Sequence, residues 1–302
     1  MTLRRSLYIL GVIVLLVSFW YLVSLLSQYK EALADWQLTG ERLVALSGIT
    51  AGYIVALFCL AEGWHRVLLM TSRLKGDRRD SYVSLLSSQI IKYFPLGVFH
   101  LAGRHVWLRK QGHEHTDLAK AVVLETIYMV SVSLMLGTAL GLIFITELPS
   151  VFEIWGLSFP MLPMMALGLV AGIGLNVAAG LGLIKGIAKA RFKEIVVAQI
   201  WFALFFFVQS VMFIECYQIV SGSEASISMV SILLLSWLAG YVVIGAPGGL
   251  GVREMVFLLL GGTFLPVEEA LLAILIFRVV AILGEVVVFF LGGSLKLHQR
   301  IT

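Results

Sequence analysis

The run Pro247-Gly248-Gly249-Leu250-Gly251-Val252-Arg253-Glu254 sets a helix-breaking loop and two adjacent opposite charges inside otherwise continuous apolar sequence. Non-helical backbone cannot face lipid, because each unpaired N–H or C=O would cost several kcal/mol there, so such a break survives only inside protein or against a water-filled cavity. Membrane transporters hold their substrates at breaks of this kind.

The bilayer context follows from composition. The chain of 302 residues is 60% hydrophobic and 13% charged, with a mean hydropathy of +0.98. That is outside the range of soluble globular chains and implies an all-α, polytopic integral membrane protein. Several apolar runs of about 20 residues are each long enough to cross a hydrocarbon core of about 30 Å. The first, residues 6–27, follows Arg4 and Arg5 as a signal peptide would, but its apolar stretch is too long for one, and it reads as an uncleaved span. Cys59 and Cys216 fall inside expected spans without metal or redox spacing and read as small buried hydrophobes. The net charge of +4 is no nucleic-acid signature, because the basic residues sit in the loops between spans.

Those loops give an orientation. Of 22 Lys and Arg residues, all but Lys30, Arg42, Lys92, Arg253 and Arg278 lie in the N-terminus, residues 66–79, 104–120, 185–193 and the C-terminal tail. Positive-inside bias makes these segments, and both termini, cytoplasmic. The loops at 28–42, 147–160, 221–227 and 263–269 carry Lys30 and Arg42 against a majority of acids and face outward. Residues 82–103 then start and finish inside, interrupted by Lys92, Pro95 and Gly97. Residues 228–262 start and finish outside, interrupted at Pro247. Both read as re-entrant broken hairpins, leaving six full spans at about 6–27, 43–66, 120–146, 161–184, 195–220 and 270–293.

The halves also match in register. Pro247 lies 152 residues after Pro95, Arg253 lies 149 after Arg104 and Glu215 lies 153 after Glu62. Residues 1–150 and 151–302 therefore read as two repeats of opposite orientation, a plan that places substrate near the midplane where broken helices meet.

The ionisable residues of the apolar segments are the candidate site: Glu62, Lys92, Glu125, Glu215, Arg253, Glu254, Arg278 and Glu285, with Arg104 on the returning arm of the first hairpin. A charge at the centre of a membrane helix costs about 2.5–3.5 kcal/mol on an insertion scale and needs a partner or water. Arg253 beside Glu254 reads equally as a loop-stabilising pair or a substrate contact. Arg278 and Glu285 share one face of the last span, and a buried pair of Arg278 with Glu285 or Glu125 is expected, with ligand contact close behind. Glu62 and Glu215, near span ends, favour a structural role over proton coupling, a function for which Glu285 is the third candidate. Ser81, Ser84 and Ser88 form a hydroxylated stripe leading to Lys92. His113-Glu114-His115 lacks a third ligand at fixed spacing, so no metal is expected. No phosphate loop, nucleophile elbow or HExxH helix occurs, and neither a cofactor nor ATP hydrolysis is called for.

Through Pro247 to Glu254, the acidic pair Glu268-Glu269 and Arg278, the chain resembles the lysylphosphatidylglycerol synthase transmembrane-region family, also described as flippase-like. The likeness runs over most of the chain. Lys92-Tyr93-Phe94-Pro95-Leu96-Gly97, Arg104, Arg109-Lys110-Gln111-Gly112 and Val123-Leu124-Glu125 resemble that family's first proline-glycine loop, downstream arginine and following helix. The first loop reads PLG where a second glycine is common, and Thr126 follows Glu125 where an arginine often stands. The resemblance implies a bacterial inner-membrane protein that moves a lipid or lipid-linked anionic head group between leaflets, working beside envelope-biosynthesis proteins and not itself an enzyme. Lys92, Arg104, Glu125, Arg253, Glu254 and Arg278, with Pro247, Gly248, Gly249 and Gly251, are the expected substrate-binding set. An integral-membrane enzyme or subunit of lipid-linked glycan synthesis, with Glu125 or Glu254 as base, is the competing class, and a scaffold a third.

Overall fold

The computed structural model describes residues 36–299 apart from 73–76, 94–98, 155–156, 182–191, 244–245 and 263–264, and before residue 36 only Leu16, Trp20, Val23, Ser24, Ser27 and Lys30. The break at Pro95 and Gly97 therefore lies outside the described residues, as does the expected span at 6–27 apart from those few positions.

Five helices are long and apolar enough to cross a membrane: α1 (Gly40–Thr71), α4 (His115–Ile143), α5 (Met161–Gly180), α6 (Phe192–Ser221) and α9 (Val267–Gln299). They coincide with the five expected spans after the first, and the chain is an all-α, multi-pass membrane protein. Four shorter helices complete the described set: α2 (Arg78–Leu86), α3 (Phe99–Lys110), α7 (Ser228–Val242) and α8 (Val252–Gly261). Even the longest of these, with 15 residues, rises only about 23 Å, short of a bilayer core. They fall in two pairs around 3-10 turns, Gln89–Tyr93 after α2 and Pro247–Gly249 between α7 and α8.

The loop at 147–160 holds a small antiparallel ribbon, β1 (Val151–Ile154) with β2 (Leu157–Pro160), in register Val151↔Pro160. Its β-branched and aromatic residues suit strands, but a ladder this short leaves no periodicity to read in the sequence.

The core lies where α1 runs along α6, with α4 packed on α5 and α7. Close approach depends on a small residue: a β-carbon on Gly63 of α1 would stand 2.5 Å from the Phe202 ring of α6. Membrane helices associate through such packing because lipid offers no hydrophobic drive. Trp64, Phe202, Phe206, Phe213 and Phe257 are fully enclosed. Helix α9 packs against α1 and α6 and also touches α2, α8 and the first 3-10 turn. The two 3-10 turns touch each other.

Two helix starts carry a side-chain cap. Thr39 accepts from the Arg42 N–H at the head of α1, and Asp77 from the Arg79 N–H at the head of α2. Helix α8 starts differently: Gly251 precedes it at φ 82° and offers no side-chain cap.

Candidate functional site

A cavity of about 390 Å3 lies where the two pairs of short helices and their 3-10 turns meet. Its wall includes Lys92, Arg104, Glu125 and Arg253, the glycines Gly240, Gly248 and Gly249, the aromatics Tyr53, Trp237 and Tyr241, and apolar side chains such as Leu57, Met129 and Val130. Four of the charged residues singled out from sequence are thus brought together from α4, α3, the first turn and α8.

Arg104 is buried and commits its guanidinium to Glu125. Nη1 donates to both carboxylate oxygens, at 2.8 and 2.9 Å, while Nε donates to Ser88 Oγ at 3.2 Å. Its charge also lies over the Trp64 ring, 5.3 Å from the centroid. Lys92 Nζ donates to Glu285 Oε1 at 2.5 Å, an oxygen that also accepts from the Tyr53 hydroxyl at 3.2 Å. Glu285 is wholly enclosed.

Arg253 differs from both. Among the described residues no carboxylate forms an ion pair with it, and its buried Nε has no hydrogen-bond partner. Its guanidinium lies over the Trp237 ring, 5.1 Å from the centroid, and Trp237 is in turn stacked on Tyr241. The side chain is wedged between Gly240 and Gly249: a β-carbon on Gly249 would stand 2.7 Å from Nε, and one on Gly240 would collide with the arginine stem.

The turn itself is a glycine structure. Gly248, Gly249 and Gly251 all have positive φ, at 61°, 71° and 82°, a region that side chains with a β-carbon rarely enter. Pro247 opens the 3-10 turn at its first position. Behind it, Arg278 Nη2 donates to the Gly248 carbonyl at 2.5 Å, and its Nε lies 2.8 Å from Glu254 Oε1. Neither of those two atoms has an aligned hydrogen bond, so the pair is a close electrostatic contact.

One expected pairing is corrected, and one of two open readings is not met. Arg278 pairs with neither Glu285 nor Glu125, because residues seven apart on a helix stand about 10 Å apart along its axis, while α8 delivers Glu254 and the first turn delivers Lys92 to α9. Arg253 does not pair with Glu254, because consecutive helical residues point away from each other. The serine stripe serves the protein's own packing: Ser81 contacts His65, Ser84 accepts from Trp64 and Ser88 accepts from Arg104.

The remaining candidates stand elsewhere. Glu62 is held by Arg66, Arg78 and the Tyr82 hydroxyl at 2.9, 3.1 and 2.8 Å. Glu215 is exposed on α6. In the 113–115 segment, His115 stacks on His105 while His113 turns to Ser72, with Nδ1 2.8 Å from Oγ. Among the described residues no group of three His, Cys, Asp or Glu side chains is placed to hold a metal ion.

Tyr53, Gln89, Trp237, Gly240 and Tyr241 line the cavity and were not singled out from sequence. A signal existed for two of them: Trp237 and Tyr241 are four apart on α7, on the face that precedes the Pro247 break. Comparison with protein-family models, curated proteins and solved structures gives no match to this chain.

Proposed function

We propose that this protein is a flippase-like lipid transporter of the bacterial inner membrane, moving an anionic or lipid-linked head group between leaflets during envelope lipid or glycan assembly. The observation that carries the reading is Arg253, a cation without a carboxylate partner among the described residues, set in the wall of a cavity between two helix breaks. Burying an uncompensated charge is costly and persists where a ligand of opposite sign compensates it. The apolar part of the wall suits the first carbons of a lipid, whose tails stay in the bilayer.

The inverted-repeat reading is supported by the contact between the two 3-10 turns and by the short helices on either side of each. In this reading the hairpins enter from opposite faces, both termini are cytoplasmic, and substrate sits where the hairpin tips meet. Transport is favoured over catalysis because Glu125 and Glu254, the two candidate bases, each face an arginine.

The test is reconstitution. Purified protein in liposomes carrying a fluorescent anionic phospholipid in both leaflets should expose the inner-leaflet pool to an impermeant quencher, and Arg253→Ala should abolish that exposure. Liposomes with wild-type protein that behave as empty ones would remove the transporter reading, and turnover of the head group would replace it with the enzyme.

A further inference from the structure

Within the transport reading, the charges around the cavity constrain the head group it takes. Three cations there are matched: Lys92 by Glu285, Arg104 by Glu125 and Arg278 by Glu254. Arg253 is left over. Among the described residues, the site thus carries one uncompensated positive charge.

We infer that the cavity selects a head group bearing a single negative charge, a phosphodiester, seated on Arg253. A guanidinium presents a fixed fork of donors that matches two phosphate oxygens, and a lysine in its place would not. The fork is held in orientation by the Trp237 ring below it and by the bare backbones of Gly240 and Gly249 on either side. A phosphomonoester or diphosphate brings a second negative charge. That charge stays buried without a partner, or it takes Arg104 from Glu125 or Lys92 from Glu285 and strands a carboxylate. Either outcome weakens binding, because removing one member of a buried pair leaves the other unpaired. A zwitterionic head group supplies the phosphodiester but adds a cation beside Arg253, which carries no carboxylate to receive it.

The experiment measures binding of three probes to the purified full-length protein in a neutral detergent: phosphatidylglycerol, phosphatidylcholine, and phosphatidic acid at a pH where its own titration in that detergent shows the dianion. Phosphatidylglycerol should bind at least about tenfold more tightly than either of the others, the effect of one charged hydrogen-bonding contact. Arg253→Gln should erase that preference. Glu125→Gln, which frees the Arg104 charge, should shift selectivity toward phosphatidic acid, a gain that misfolding cannot imitate. If Glu125→Gln does not fold, the wild-type series and Arg253→Gln still decide.

Phosphatidic acid bound as tightly as phosphatidylglycerol, or a preference that survives Arg253→Gln, overturns the single-charge inference. If such a protein still moves lipid in liposomes, the transport reading stands without it. Soluble glycerophosphoglycerol competing as well as the lipid keeps the phosphodiester and removes the lipid. No binding by any of these probes overturns the inference outright.

Discussion

Tyr93 lies against Gly248, so close that a β-carbon on that glycine would stand 2.6 Å from the ring. The contact joins the two 3-10 turns, and it makes Gly248 doubly intolerant of a side chain. Gly248→Ala must occupy φ 61°, a strain of about 1–3 kcal/mol, and must also displace Tyr93. Adding Tyr93→Ala to the alanine variant should recover the packing part and leave the backbone part. Thermal unfolding of the four proteins in detergent measures both. A Gly248→Ala protein that melts with wild type would mean that the turn differs from the one described.

How much of this was legible in the sequence depends on range. The break at Pro247 and the need for glycine φ above zero follow from local chemistry, and five long apolar helices follow from run length. The partners of the buried charges do not, because they are set by which helix the hairpins deliver them to. Arg278 and Glu285 share a helix and looked like a pair, yet each is matched from a different hairpin. Trp237 escaped notice because an aromatic in an apolar helix is ordinary until a guanidinium is found over it.

Arg104 and Glu125 should behave as one unit. Arg104→Ala leaves a buried carboxylate and Glu125→Ala leaves a buried guanidinium, each costing about 3–5 kcal/mol. The double variant should cost clearly less than the two singles added together, because no charge is then stranded. Denaturation in a detergent series reads this cycle. Additive losses would mean that the pair seen at 2.8 Å contributes no coupling.

Acidification should loosen the loop between α3 and α4. Burial holds the His113 imidazole below its ordinary 6.5, although Asp80 and Asp117 pull it upward. The unfolded chain therefore takes up a proton before the folded one does. The stability that neutral His113 contributes is complete above about pH 6.5 and is lost as pH falls through the lower folded value. His113→Gln removes the titration. The melting temperature of wild type should fall more between about pH 8 and pH 5.5 than that of the variant. Parallel curves would assign the acid sensitivity to other groups.

The charge census makes one prediction about sidedness, and the structure supplies better probe positions than the sequence alone. Gly112, an obvious choice in the cytoplasmic loop, has φ 93° and would strain under any side chain, whereas its neighbour Gln111 is exposed. Ser223 is exposed in the loop between α6 and α7, on the face expected to be external. Cys59 and Cys216 are both buried and free, so alanine at both positions gives a background with no native thiol. In that background Gln111→Cys should react with an impermeant maleimide only in inverted vesicles, and Ser223→Cys only in intact cells. These two loops lie at opposite ends of the chain's proposed inversion, so they test it directly. Labelling of both from one side would undo the assignment of the basic loops to the cytoplasm, and with it the opposed entry of the two hairpins on which the midplane site depends.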